Sequence, residues 1–291
     1  MATTISSLAL PSSRTISYAL TTVSSDLDAP TVLLSNSLCG PFATWDRVVP
    51  KLTSKGLNVL RYDQPGHGTS GVPADLSSTS FHTLADDVRE LLNHLSIKRL
   101  RGWVGVSMGG ATGMIFATKY PNIIQKLVVC NSLSCSFANA GATDVLEPMV
   151  TMARGTGKID GVVDAILVRW FGRAWIDANP DEAHRMREVM LQTSIEGFET
   201  CAAALRSQAF DLRPSLTEVG HGIDEALFVV GEKDAELRET MQDLQKGVER
   251  GLKEKNEHAS VDLQIIKNAG HVCYVDGYDE FVGVVARFLD H

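Results

Sequence analysis

No apolar run in the 291-residue sequence approaches the ~20 residues needed to cross a bilayer. The opening stretch, MATTISSLALPSSRTISYAL, lacks a basic start followed by a solid apolar segment and does not read as a secretory leader. The closing ARFLDH carries no lipidation or retention tag, so a cytoplasmic location is expected. Cysteine is sparse and unpatterned: five residues, at 39, 130, 135, 201 and 273, with no CxxC pair. An odd, scattered set excludes a disulfide framework, and Cys130, in an apolar run, reads as a buried thiol in a reducing compartment. There is no HExxH, no Cys/His set at metal spacing, no Walker-type loop and no GxGxxG opening a first βα unit. Neither a cofactor nor a metal is therefore expected. Positive charge is also short, with 27 Lys and Arg against 35 Asp and Glu and a net charge of −8. That balance argues against a nucleic-acid partner, although a locally positive pocket could still take a small anion.

What is present is an ordinary globular composition, 44% hydrophobic and 21% charged, in a chain long enough to bury a large core. Two β-like stretches, 5–10 and 15–23, flank a Pro-Ser-Ser turn and predict an N-terminal hairpin. TVLLS (31–35), LNVLRY (57–62), LRGWVGV (100–106), KLVVC (126–130), ALFVV (226–230) and VDLQII (261–266) follow. Several are near-continuous apolar runs, the pattern of strands covered on both faces. Amphipathic stretches lie between them; in 81–95, Phe81, Leu84, Ala85, Val88, Leu91, Leu92 and Leu95 keep helical spacing. Alternation of this kind predicts an α/β architecture with a doubly wound, mostly parallel sheet. The alternation breaks over 134–212, which is helical in pattern and carries Trp170, Phe171, Trp175 and Phe198. The expected division is a core of 1–133 and 213–291 and a helical cap of 134–212, placed to form a lid or pocket wall.

Gly105-Val106-Ser107-Met108-Gly109 matches G-x-S-x-G. Its context matters more than its letters: a strand run precedes it and a helix-like stretch, GGATGMIFATKY, follows. A tight strand-to-helix turn strains the central residue, exposes its hydroxyl and leaves the next N–H free at a helix N-terminus. A serine hydroxyl needs a base. Of eight histidines, His271 follows the last strand run, while His67, in PGHG, could be structural or line the site. The base needs an orienting carboxylate. Asp234, just beyond ALFVV, is the first candidate, with Glu232 and Asp276 as competitors. The oxyanion of acyl transfer needs donors: the Met108 N–H, and one from the loop after TVLLS, with Leu38 ahead of Cys39. Cys39 as a rival nucleophile has no identifiable histidine partner.

RYDQPGHGTSGVP, GVSMGG, GEKD and NAGHVCYVD together resemble the α/β-hydrolase superfamily along essentially the whole chain. LLSNSLCGPFATWD, RWFGRAW and SIEGFETCAAALRSQAFDLR resemble the 3-oxoadipate enol-lactonase group more narrowly. The resemblance implies a cofactor-independent hydrolase that opens a small lactone or ester through an acyl-enzyme. It places the triad at Ser107, Asp234 and His271 and the oxyanion pair at Leu38 and Met108. A carboxylate-bearing lactone would need a cation, for which Arg169, Arg173 and Arg206 are candidates, with Trp45 and Trp170 as aromatic walls. The segment TMQDLQKGVERGLKEKNEH and the piece ARGTGKIDG depart from compact lactonases. A larger lactone or ester of secondary metabolism, a non-hydrolytic enzyme on the same fold, and a low-turnover ligand sensor are the alternatives.

Overall fold

The computed structural model describes residues 1–23 and 29–290. Eight strands form one sheet: β1 (Ala2–Ala9), β2 (Thr15–Thr22), β3 (Thr31–Ser35), β4 (Asn58–Tyr62), β5 (Leu100–Val106), β6 (Ile124–Cys130), β7 (Glu225–Gly231) and β8 (Asp262–Ile266). Their spatial order is β1-β2-β4-β3-β5-β6-β7-β8. β1 pairs antiparallel with β2, and β2 with β4; every other pair is parallel. The hairpin, the six later strands and the doubly wound, mostly parallel sheet are thus those the sequence predicts. β6 begins two residues before the KLVVC run because Ile124 pairs with Leu100 of β5.

Burial explains the apolar runs. Every residue of β3 and β4 is buried, and nearly every one of β5, β6 and β7. The two ends of the sheet are wetter: β1 is exposed almost throughout, and β8 is fully buried only at Ile266. Helix Phe81–His94 packs against helix Met108–Lys119 and buries Phe81, Leu84, Val88, Leu91 and Leu92. Ser80 starts it through a capping box with Thr83, which satisfies two N–H groups that a helix N-terminus otherwise leaves unpaired. Helix Met108–Lys119 is buried along most of its length and runs beneath β3, β5 and β6.

Among the described residues no strand lies between β6 and β7. That stretch holds helices Phe137–Ala140, Leu146–Thr156, Asp160–Phe171, Arg173–Ala178, Pro180–Met190, Ile195–Arg206 and Leu216–His221. Their buried side chains, among them Val163, Leu167, Met186 and Phe198, join the same hydrophobic cluster as the sheet. The helices also tie to the loop after β4: Ser194 N–H donates to Gly66 O at 2.9 Å, and His67 bridges Thr193. Among the described residues no helix is long and apolar enough to cross a membrane.

Candidate active site

Parallel strands place all their carboxyl ends on one edge of a sheet, and the polar residues gather there. Leu38 follows β3, Ser107 follows β5, Asn131 follows β6, Asp234 follows β7 and His271 follows β8.

Ser107 has φ 54° and ψ −116°, between the last residue of β5 and the first of helix Met108–Lys119. For a residue with a Cβ this backbone costs about 1–3 kcal/mol and persists only where its surroundings enforce it. They do. Ser107 N–H donates to Cys130 O at 2.7 Å, and Ser107 O accepts from Ser132 Oγ at 3.0 Å. The flanking glycines are dictated by contact: a Cβ on Gly105 would lie 2.3 Å from Gly109 O, and one on Gly109 would lie 2.4 Å from Ser35 O. The serine therefore heads a helix whose first N–H groups have no partner within the helix.

His271 is held in the loop after β8. Its N–H donates to Trp170 O at 3.0 Å, and its Nδ1 lies 2.7 Å from Asp234 Oδ2. Asp234 is buried, with a side chain 1% exposed. It also accepts from Asn131 Nδ2 at 2.8 Å and is ion-paired with Arg169, whose Nη2 lies 2.9 Å from Oδ1. Burial alone would raise its pKa. The hydrogen bond and charge of His271, then Arg169 and Asn131, outweigh that and hold the carboxyl well below the usual carboxylate range. The two competing acids serve the loop instead. Glu232 accepts from Asn268 N–H at 2.8 Å, and Asp276 accepts from Gly270 N–H at 2.6 Å. Burial pushes the Asp276 carboxyl up to about 6.

In the loop after β3, Cys39 N–H is already donated to His67 Nε2 at 2.9 Å and is not free to meet an oxyanion. Burial pushes the Cys39 thiol up to about 12, which removes it as a nucleophile. All five cysteines are free and buried.

His67 itself is structural. Its Nδ1 lies 3.0 Å from Pro65 O, so the proton belongs on Nδ1 and Nε2 is the acceptor. Burial presses its pKa from 6.5 down to about 4. Such a histidine stabilises the fold fully above the unfolded-state value of 6.5 and loses that contribution as the pH falls towards 4. The stability difference between wild type and His67→Gln should accordingly shrink by about 3 kcal/mol between pH 7 and pH 4, read from urea unfolding at each pH. Buried Asp63, pushed up to about 7 by burial, has the opposite slope but is common to both proteins. A difference independent of pH would mean that His67 charges freely in the fold.

The expected substrate contacts divide. Trp170 is buried, its ring 6.2 Å from that of His271 at 27°. Trp45 belongs to the core: it is fully buried, stacked 3.6 Å from Tyr274, and offers no surface to a substrate. Arg206 is engaged by Asp144 and Glu147, so its charge is not free for an anion. Arg173 is exposed. Arg169 touches Asp234. Asn131, which the sequence reading does not single out, contacts Asp234 directly. Its signal is slight: a polar residue directly after a strand, at φ 45°, where asparagine is tolerated. Among the described residues no group of three or more His, Cys, Asp or Glu side chains is placed to hold a metal ion.

Known proteins share this arrangement of chain. The family model described as alpha/beta hydrolase fold matches residues 30–196. A 3-oxoadipate enol-lactonase of Acinetobacter baylyi is 28% identical over 207 residues, 71% of this chain and 72% of its own. A RutD protein of Agrobacterium fabrum, named provisionally as a carbamate hydrolase, is 29% identical over 216 residues, 72% of this chain and 76% of its own. The crystal structure of the enol-lactonase from Burkholderia xenovorans superposes with a TM-score of 0.82 at 26% identity, covering 98% of this chain and 100% of that one. The match spans more than half of the sequence and includes β5, Ser107 and the helix behind it, and the chain belongs to the α/β-hydrolase fold family.

Proposed function

We propose that the protein is a cofactor-independent serine hydrolase that opens a small lactone or ester through an acyl-enzyme. The observation that carries this reading is the 2.7 Å pairing of His271 Nδ1 with the buried Asp234 carboxylate, on the strand edge that presents Ser107 in its strained turn. With Nδ1 engaged by Asp234, Nε2 is the nitrogen left to accept a proton. In this mechanism Ser107 Oγ attacks the carbonyl carbon as His271 Nε2 takes its proton. The tetrahedral oxyanion sits on the Met108 and Leu38 N–H groups. His271 then gives the proton to the departing oxygen, which stays tethered when the substrate is a lactone. Water, deprotonated by the same imidazole, releases the acid and restores Ser107. The names of the relatives support a lactone as the substrate class. The helices of 134–212 act as the cap, with Trp170 forming the wall beside His271.

Fluorophosphonate labelling followed by intact-mass measurement tests the reading. Wild type should gain one adduct and Ser107→Ala none. An adduct that persists in the variant would overturn it.

A further inference from the structure

Both oxygens of the Asp234 carboxylate are engaged. Oδ2 faces His271 Nδ1 at 2.7 Å and Asn131 Nδ2 at 2.8 Å, while Oδ1 faces Arg169 Nη2 at 2.9 Å. Asn131 comes from the end of β6, beside β7, but Arg169 comes from the inserted helices, on the last turn of Asp160–Phe171. The next residue, Trp170, accepts the His271 N–H and lays its ring by the imidazole. That ring also approaches the oxyanion loop: a Cβ on Gly40 would lie 3.7 Å from Trp170 Cη2. Two consecutive residues of one helix thus contact the acid, the base and the loop of Leu38.

We propose that Arg169 is a positioning residue for Asp234, holding the carboxylate's outer oxygen so that the inner one stays on His271, and that it is not the receptor for the substrate. This rests on the triad reading above. The terminal torsion of an aspartate is soft and roughly two-fold. Pinning Oδ1 from one side and Oδ2 from the other removes that freedom. The arrangement has an electrostatic signature. The Arg169 cation competes with the imidazolium for the carboxylate's charge. Removing the cation leaves more of that charge to the protonated imidazole, so the acid limb of the activity profile moves to higher pH while turnover falls. General loosening of the site would lower turnover without moving the limb upward. Other ionisable groups about this loop include Glu232 on Asn268 N–H, Asp276 beneath Gly270, Lys233 near it, and the buried thiols of Cys130 and Cys273. None of them changes in the variants.

The experiment compares Arg169→Gln and Arg169→Lys with wild type, on a neutral aryl ester and on an ester bearing a carboxylate. For Arg169→Gln, kcat should fall about tenfold on both esters with KM little changed, and the acid limb of kcat/KM should shift upward. Arg169→Lys, which keeps the charge, should return the limb to its wild-type position. A rise in KM confined to the carboxylate ester, with neutral-ester kcat intact, would make Arg169 the anion receptor and overturn the proposal. Unchanged kinetics on both esters would overturn it as well. Ser107→Ala, assayed on the same esters, separates the two claims. Turnover surviving there sinks the serine mechanism, whatever Arg169 does.

Discussion

Asp234→Asn is expected to lower kcat by about four orders of magnitude with the fold intact. The carboxylate is engaged at three points: His271 and Asn131 bond one oxygen, and Arg169 is ion-paired with the other. An amide has one oxygen, one NH2 group and no charge, so it cannot serve all three. If its NH2 turns to His271, it donates to Nδ1 and forces the ring proton onto Nε2, where it blocks acceptance from Ser107. If its oxygen turns to His271, the NH2 faces the Arg169 guanidinium, and Arg169, half exposed, swings away. In both cases the imidazolium formed during attack has no anion beside it. Labelling by a fluorophosphonate should slow in parallel, because it needs the same activated serine. Glu232→Gln and Asp276→Asn, whose carboxylates brace the loop without touching the ring, should retain most activity. A kcat for Asp234→Asn within tenfold of wild type would remove Asp234 from the mechanism. Stability has its own signature. A carboxyl held below its usual value of 3.8 contributes fully above that pH and loses the contribution only as the pH falls further. The ion pairs of Asp234 should therefore matter to unfolding at neutral pH and fade in strong acid.

How far the sequence carries depends on how local each cause is. β3, β4 and β5 are visible because burial on both faces demands unbroken apolar runs. The turn at Ser107 is visible because its two glycines answer to backbone atoms within a few residues or on the neighbouring strand. Asp234 and His271 are visible as candidates through their places after the last two strands. Side-chain direction in the inserted helices is not. Trp45 and Trp170 look alike as letters. One packs on Tyr274 from a 3-10 turn and the other on His271 from a helix end, and only the meeting of distant segments decides which. Arg206 reads as a free cation until Asp144 and Glu147, some 60 residues earlier, come against it. Asn131 is hidden for a different reason: an asparagine after a strand is an ordinary turn residue until the β6-β7 pairing sets it beside Asp234. That Cys39 N–H is already engaged is hidden too, since its partner, His67, comes from a separate loop.

Gly231→Ala should uncouple activity from folding. Gly231 ends β7, opposite Ile266 of β8 and three residues before Asp234. A Cβ there would lie 2.0 Å from Gly270 O and 2.6 Å from Ala269 O, nearer than real Cβ contacts come. Those carbonyls belong to the two residues preceding His271, and they are backbone atoms, which no rotamer change can move aside. The loop must retreat by about 1 Å or more, and a displacement of that size in a catalytic group costs on the order of a hundredfold in rate. Retreat is resisted on the strand side by Glu232 N–H to Ile266 O and Lys233 N–H to Ala269 O, both at 2.9 Å or less. It is resisted on the far side by Asp276 on Gly270. Strain of this kind costs about 1–3 kcal/mol, which a domain of this size survives as a drop of a few degrees in Tm. The expected outcome is a folded protein whose kcat has fallen about a hundredfold, its His271 displaced from Asp234 and Trp170. Gly283→Ala is the control. Apart from its chain neighbours and its own helix backbone, no atom of the described residues lies within 4 Å of the added methyl there, in helix Tyr278–Asp290, and helix propensity favours alanine. It should leave activity untouched and hold or slightly raise Tm. Wild-type kcat in Gly231→Ala would mean that the loop carrying His271 yields without moving the imidazole, and that the contact between the ends of β7 and β8 does not set the catalytic geometry.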